Sequence, residues 1–141
     1  MNLLVRHYFD AAHQLTDCED LESKACARTH GHTYAVKVMI TAEKLNKAGM
    51  VVDFKRVKGK IDQLDHQVIN DIFEQLGYDF EPTAENTAIF IAREIEKLGV
   101  EVAEVHVCEG YKGEERASWA IYYPYEDDDL DGDTIECMKK N

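Results

Sequence analysis

Two segments of the chain alternate with a period of two, and both run into histidine at the same end of the pattern. In residues 3–13, Leu3, Val5, His7, Phe9, Ala11 and His13 share one side, against Asn2, Arg6, Asp10 and Gln14 on the other. In residues 30–42, His30, His32, Tyr34, Val36, Val38, Ile40 and Ala42 share one side, against Thr33, Lys37 and Thr41. Successive side chains of a strand point to opposite faces, so the pattern calls for two half-buried strands. It also aims His13, His30 and His32 at the covered face.

Burying three imidazoles without partners costs on the order of 1–3 kcal/mol for each unsatisfied group. A metal removes that cost. Neutral imidazole suits Zn²⁺, and three histidines leave a fourth tetrahedral position open, as in catalytic rather than structural zinc sites. The bland alternative for His30-Gly31-His32 is a loop with a satisfied histidine pair, and the parity shared with His13 is what favours a metal. Gly31 is expected to let the backbone approach closely. Cys26 precedes His30 by four positions. As a fourth ligand it closes the site; off the metal it becomes a thiolate base; the third reading is a plain buried thiol.

The rest of the chain supplies the cover. Asp53 reads as an N-cap, with Val57, Ile61 and Leu64 forming a helical stripe that ends near Leu64-Asp65-His66. Residues 67–79 carry no decisive pattern and suit a short helix. Thr83, after Pro82, caps a second helix along Ala84, Ala88, Ala92, Ile95 and Leu98, stopped by Gly99. Val102, Val105 and Val107 begin a third strand, and Trp119, Ile121 and Tyr123 alternate in a fourth. The order ββααββ predicts an α+β sandwich, a four-stranded antiparallel sheet with helices on one face. Glu109 continues the face of Val105 and Val107, so an ionisable group points inward and awaits a ligand donor. Asp65 and His66 work as a pair only if the backbone turns between them; otherwise they are a solvated helix end.

The 141 residues, 45% hydrophobic, suit one domain with a real core. A net charge of −12 argues against nucleic acid and acidic membrane as partners. No apolar run reaches signal-peptide or membrane-span length, so the expected location is cytoplasmic, with Cys18, Cys26, Cys108 and Cys137 as thiols and no paired CxxC. The domain is expected to occupy residues 1–125, followed by an acidic tail, 126–141. Asp127, Asp129, Asp131 and Gly132 match the first half of a calcium loop, but the position of its bidentate glutamate is Met138, which leaves a solvated tail as the reading.

Six short motifs then fall into a familiar order: FDAAH at 9–13, CARTHGHTY at 26–34, GMVVDF at 49–54, LDHQVIN at 64–70, PTAEN at 82–86 and HVCE at 106–109. In this the chain resembles the 6-pyruvoyl-tetrahydropterin synthase superfamily, from the first strand to the third. The Cys-x3-His-Gly-His spacing is most similar to the 6-carboxy-tetrahydropterin synthase branch of queuosine biosynthesis; pyruvoyl synthases place more residues between the cysteine and HGH. The resemblance implies conversion of 7,8-dihydroneopterin triphosphate to 6-carboxy-5,6,7,8-tetrahydropterin, with loss of triphosphate and acetaldehyde. It implies the tunnelling fold, in which subunit sheets join into a barrel, two trimers stack as a hexamer, and active sites lie between subunits. It further implies zinc held by His13, His30 and His32, Cys26 as general base, and an acid/base relay of Asp65 and His66 from a neighbouring subunit. Glu109 would accept hydrogen bonds from the pterin, in a pocket lined by Thr83 and Ala84.

Two positions depart from the family pattern. Gln14 stands where arginine is common, which leaves Lys24 and Arg28 as candidate triphosphate contacts, and Gly110 stands where threonine is common. The competing readings are a pyruvoyl synthase, a non-catalytic zinc- or pterin-binding subunit, and, more remotely, a cysteine hydrolase.

Overall fold

A computed structural model describes residues 1–16 and 24–127, except for the side chains of Lys24 and Ala25. Its elements are β1 (Asn2–His13), β2 (His30–Thr41), α1 (Phe54–Ile61), α2 (Ile69–Gln75), α3 (Ala84–Glu96), β3 (Glu101–Glu109) and β4 (Ala120–Tyr122). The strands form one antiparallel sheet in the order β1-β2-β3-β4. The α+β architecture expected from the alternation is therefore present, with a third short helix, α2, in the segment that had no decisive pattern.

Helices α1 and α3 start where a side chain can satisfy free N–H groups, whereas α2 follows Val68 with no side-chain cap. Asp53 accepts from the Lys55 N–H, and Thr83 from the Asn86 N–H. α1 tightens into a 3-10 turn at Asp62–Leu64. Val57, Ile61 and Leu64, together with Ala88, Ile91, Ala92 and Ile95 of α3, are buried against Val5, Phe9, Tyr34, Val36, Val38 and Ile40 of the sheet. Along β1 the odd positions are the covered ones and the even positions face out, as the period of two requires.

Two details of the sheet run against the simple alternation. In β3, Val102 is as buried as Val105 and Val107 although its parity differs. The register shifts between Met39 and Ile40, so that Glu104 faces Met39 and Val102 faces Ile40, leaving Ala103 as the extra residue of a bulge that returns Val102 to the core side. In β4 the inward residue is Tyr122, and Ile121 is exposed, which corrects the grouping of Trp119, Ile121 and Tyr123. Directly paired residues share a face, and β4 pairs Tyr122 with Val105 and Ala120 with Val107. Trp119 instead lies on the outer side, under the Lys37 ammonium at 4.2 Å.

Candidate metal centre

The β1/β2 register sets His13 opposite His30 and Ala11 opposite His32. Paired positions share a face, and so do positions two apart on one strand. The three imidazoles therefore meet at one end of the sheet's covered side. Their ring centroids are 4.6, 5.1 and 4.8 Å apart, with planes crossed at 66° to 89°. One candidate ligand atom from each falls within 4.8 Å of the others.

The hydrogen bonds fix the tautomers of two rings. His13 Nδ1 lies 2.7 Å from the Pro82 carbonyl oxygen, and His30 Nδ1 lies 2.7 Å from that of Arg28. A carbonyl only accepts, so both Nδ1 atoms carry the proton and both Nε2 atoms present lone pairs. Those two Nε2 atoms face each other at 3.1 Å. Two lone pairs at that range repel unless a cation lies between them. A shared proton would serve these two nitrogens but not His32, whose Nε2 is buried with no hydrogen-bond partner. A metal ion serves all three, and carbonyls behind the ligand rings are the usual outer support of such a site.

Burial holds the His32 imidazole below its ordinary pKa; the Glu109 carboxylate opposes this, and His13 and His30 reinforce it. The neutral form that ligation needs is thus the favoured one.

The Pro82 carbonyl is held in place by its own segment. Thr83 caps the Asn86 N–H, and the Asn86 amide reaches back to the Glu81 carbonyl at 2.9 Å. PTAEN is therefore an outer brace for His13 as well as a helix start. Sequence reading assigned it no such role, because a main-chain carbonyl leaves no mark on residue type.

Cys26 sits half-buried in the turn Lys24–Ala27, its carbonyl accepting the Leu15 N–H at 2.9 Å, and is not a member of the three-imidazole cluster. Glu109 faces Tyr34 across the ladder and brings Oε2 to 3.9 Å from His13 Nε2. Its side chain is 40% exposed, which corrects the expectation of a buried carboxylate: the strand ends here, and Glu109 opens into a cleft of ≈ 540 Å³ lined also by Thr83, Ala84 and Ser118. The expected close approach at Gly31 is also absent. A Cβ there would meet the Ala11 carbonyl at 3.7 Å, an ordinary contact.

Asp65 and His66 do not join the imidazoles. They dock on Asp10, whose side chain leaves the opposite face of β1 and accepts the Thr33 hydroxyl from the same face of β2. His66 has φ of 57°, a left-handed turn, and this brings its Nδ1 to 2.9 Å from Asp65 Oδ2. The backbone turn that the pair needs is thus made. The Asp65 hydrogen bond, first, and the nearby Asp65 and Asp10 charges raise the His66 pKa against a small opposing effect of burial.

The other histidines are paired elsewhere: His7 Nε2 with Asp62 at 2.7 Å and His106 Nε2 with Glu104 at 2.8 Å. Of the triphosphate candidates, Arg28 is exposed, while the Lys24 side chain lies outside the described residues. Asp127 closes a turn on Tyr123, and the rest of the calcium-loop pattern also lies outside the described residues.

Fold and site together define a small α+β protein with three clustered histidines, a candidate metal site, at one end of an antiparallel sheet. The family profile described as 6-pyruvoyl tetrahydropterin synthase matches residues 2–124, and the chain belongs to that family. A protein of Archaeoglobus fulgidus provisionally named 6-carboxy-5,6,7,8-tetrahydropterin synthase is 32% identical over 105 residues, covering 72% of this chain and 81% of that one. The 6-carboxy-5,6,7,8-tetrahydropterin synthase of Rickettsia conorii is 32% identical over 106 residues, covering 62% and 74%. The structure of Caenorhabditis elegans 6-pyruvoyl tetrahydropterin synthase shares the fold with a TM-score of 0.58 at 23% identity, over 87% of this chain and 94% of that one.

Proposed function

We propose that the protein is a zinc-dependent lyase that converts 7,8-dihydroneopterin triphosphate and one water molecule to 6-carboxy-5,6,7,8-tetrahydropterin, acetaldehyde and triphosphate, in the biosynthesis of queuosine and related 7-deazaguanines. The observation that carries this reading is the pair of imidazole lone pairs face to face at 3.1 Å, with the buried His32 Nε2 left bare beside them. A metal cation would serve all three nitrogens at once, and the relatives named 6-carboxy-tetrahydropterin synthase suggest the reaction.

His13, His30 and His32 hold the zinc. Bound there, zinc supplies Lewis-acid chemistry that makes the substrate's side-chain hydroxyls and the adjoining C–H bonds more acidic. Cys26, standing off the cradle, takes the side-chain proton as a thiolate. Glu109, half-exposed at the mouth of the cleft, accepts hydrogen bonds from the pterin amino and ring N–H groups, while Thr83 and Ala84 line the ring's pocket. Asp65 and His66 return a proton to the ring; their raised imidazole pKa suits a proton donor. Because they lie on the face of the strands opposite the cradle, they serve the site of a neighbouring subunit.

That division fits a cytoplasmic homohexamer, two stacked trimers whose sheets close into a barrel. We assign residues 1–125 to the synthase unit and 126–141 to an acidic segment. A cleft of ≈ 810 Å³ beside α2 is lined by Glu74, Asp79 and Glu81 with no Lys or Arg in its lining, the wrong electrostatics for a triphosphate.

The deciding experiment incubates the zinc-loaded protein with 7,8-dihydroneopterin triphosphate and identifies the products by mass, beside Cys26→Ala. Carboxy-pterin with acetaldehyde, lost in Cys26→Ala, is the expected result. A pyruvoyl product transfers the protein to the other branch of the family. Zinc binding without turnover makes it a binding subunit.

A further inference from the structure

The face of β1 and β2 turned away from the cradle carries a second set of polar contacts, centred on Asp10. The Asp10 N–H donates to Asp65 Oδ1 at 3.0 Å, and the Asp10 carbonyl accepts the His66 N–H at 2.6 Å. Its carboxylate stands with the Asp65 carboxylate and the His66 imidazole in a cluster of polar atoms within 4.8 Å of one another. Thr33, the residue paired with Asp10 across the ladder, donates its hydroxyl to Asp10 Oδ1 at 2.6 Å. The four side chains thus form a connected group at an open cleft of ≈ 690 Å³ that Asp10, Thr33 and His66 help to line.

The main-chain half of this arrangement explains the turn. A non-glycine residue at φ of 57° holds that conformation only where its surroundings fix it. The hydrogen bond from the His66 N–H to Asp10 does so from one side, and the Ala12 N–H, donating to the Gln67 carbonyl at 2.9 Å, does so from the other. The side-chain half needs another account. Main-chain bonds ask for no particular residue at position 10, and Asp10 is exposed, so neither docking nor packing requires an acid there. Yet an acid is present, and a threonine hydroxyl ties down one of its oxygens.

We propose that Asp10, clamped by Thr33, is a positioning residue for the Asp65–His66 acid/base pair: its main chain fixes the turn, and its carboxylate gives the imidazole a second anionic neighbour. This rests on the reading of that pair as the proton relay. Two carboxylates beside one imidazole favour the protonated ring, which is the form that can give a proton to the substrate. The shift of His66 runs in that direction, led by the Asp65 hydrogen bond and aided by the Asp10 charge. The other titratable groups at this cluster and its cleft are His7 of β1, itself paired with Asp62, His32 of β2, and Asp71 of α2.

Asp10→Asn keeps both main-chain bonds and an acceptor for Thr33 while removing the charge. In the zinc-loaded protein it is expected to move the NMR titration of the His66 ring to lower pH. It should also cut kcat roughly three- to fivefold, the scale of one charge at this range in a solvated site. KM, zinc content and the thermal midpoint should stay unchanged. Thr33→Val should act in the same direction but less, and Asp10→Glu should restore part of the loss.

An unchanged His66 titration and kcat in Asp10→Asn overturns the inference, as does a loss of activity that tracks zinc content or the thermal midpoint. Asp65→Asn and His66→Asn separate the two levels. If they too leave turnover intact, the relay reading itself has failed; if they abolish it while Asp10→Asn does nothing, only the role of Asp10 has failed.

Discussion

Glu94 lies in the middle of α3 with 2% exposure, a carboxylate inside the helical layer. It accepts from the Tyr78 hydroxyl at 2.9 Å and from Gln63 Nε2 at 3.1 Å, and pairs closely with the Lys97 ammonium. Burial alone would push its pKa up, but the hydrogen bonds from Lys97, Gln63 and Tyr78 and the Lys97 charge together bring it below the ordinary value of 4.5. Glu94→Gln keeps the shape and removes the charge. The glutamine carbonyl still accepts one hydrogen bond, but its amide must then face groups that were donating. A hydrogen bond to a charged group contributes roughly 1.5–3 kcal/mol. Lys97 is half-exposed and regains water, so a net loss of about 2 kcal/mol is expected at neutral pH, or about 8 °C in thermal midpoint for a chain of this size. The pH dependence has a definite sign. A carboxylate with a depressed folded pKa contributes stability above its unfolded pKa, and that stability is lost as pH falls through the folded value. The gap between parent and variant should therefore be full at pH 7 and shrink below about pH 4.5. Urea unfolding by circular dichroism at pH 7, 5 and 4 measures it. A variant as stable as the parent at pH 7, or a gap that does not narrow with acid, refutes the account of Glu94 as a net stabilising charge.

Other outcomes follow from the cradle and its turns. Zinc at about a hundred times its Kd should stabilise the parent by roughly 2.7 kcal/mol, or about 10 °C by scanning fluorimetry, and His30→Ala should abolish both that rise and metal stoichiometry. Gly110 has φ of 70°, and a Cβ there would meet His32 Nδ1 at 3.6 Å, an ordinary contact. Gly110→Ala should therefore cost the backbone strain alone, about 1–2 kcal/mol in urea unfolding. His66→Gly removes a left-handed side chain and should raise the unfolding free energy by up to about 1 kcal/mol while turnover is lost, separating stability from activity in one variant.

How much was legible in the sequence depended on the range of the signal. Alternation is local, and it aimed His13, His30 and His32 at one face before any register was known. The caps at Asp53 and Thr83 are equally local. The bulge at Ala103 and the facing of Tyr122 were not legible, because each is decided by which residue of the neighbouring strand sits opposite. Pro82 was read only as the residue before a helix cap, because its hold on His13 acts through a carbonyl that every residue owns. The turn at His66 lacks the glycine that normally announces it, and its support comes from Asp10, far away in the chain. Glu109 was given the correct face, but the sequence could not say that the strand ends there and leaves the carboxylate half in solvent.

β1 is read on both sides. Its odd positions deliver His13 to the cradle, and three residues earlier an even position, Asp10, docks Asp65 and His66 on the reverse. A deletion or insertion of one residue between Asp10 and His13 would turn the cradle ligand outward relative to the docking site, since a slip of one exchanges the two faces. Loops elsewhere can change length without touching this relation. The strand therefore acts as a gauge with a fixed number of teeth: substitutions along it are graded in effect, whereas a change in its length uncouples both halves of the site at once.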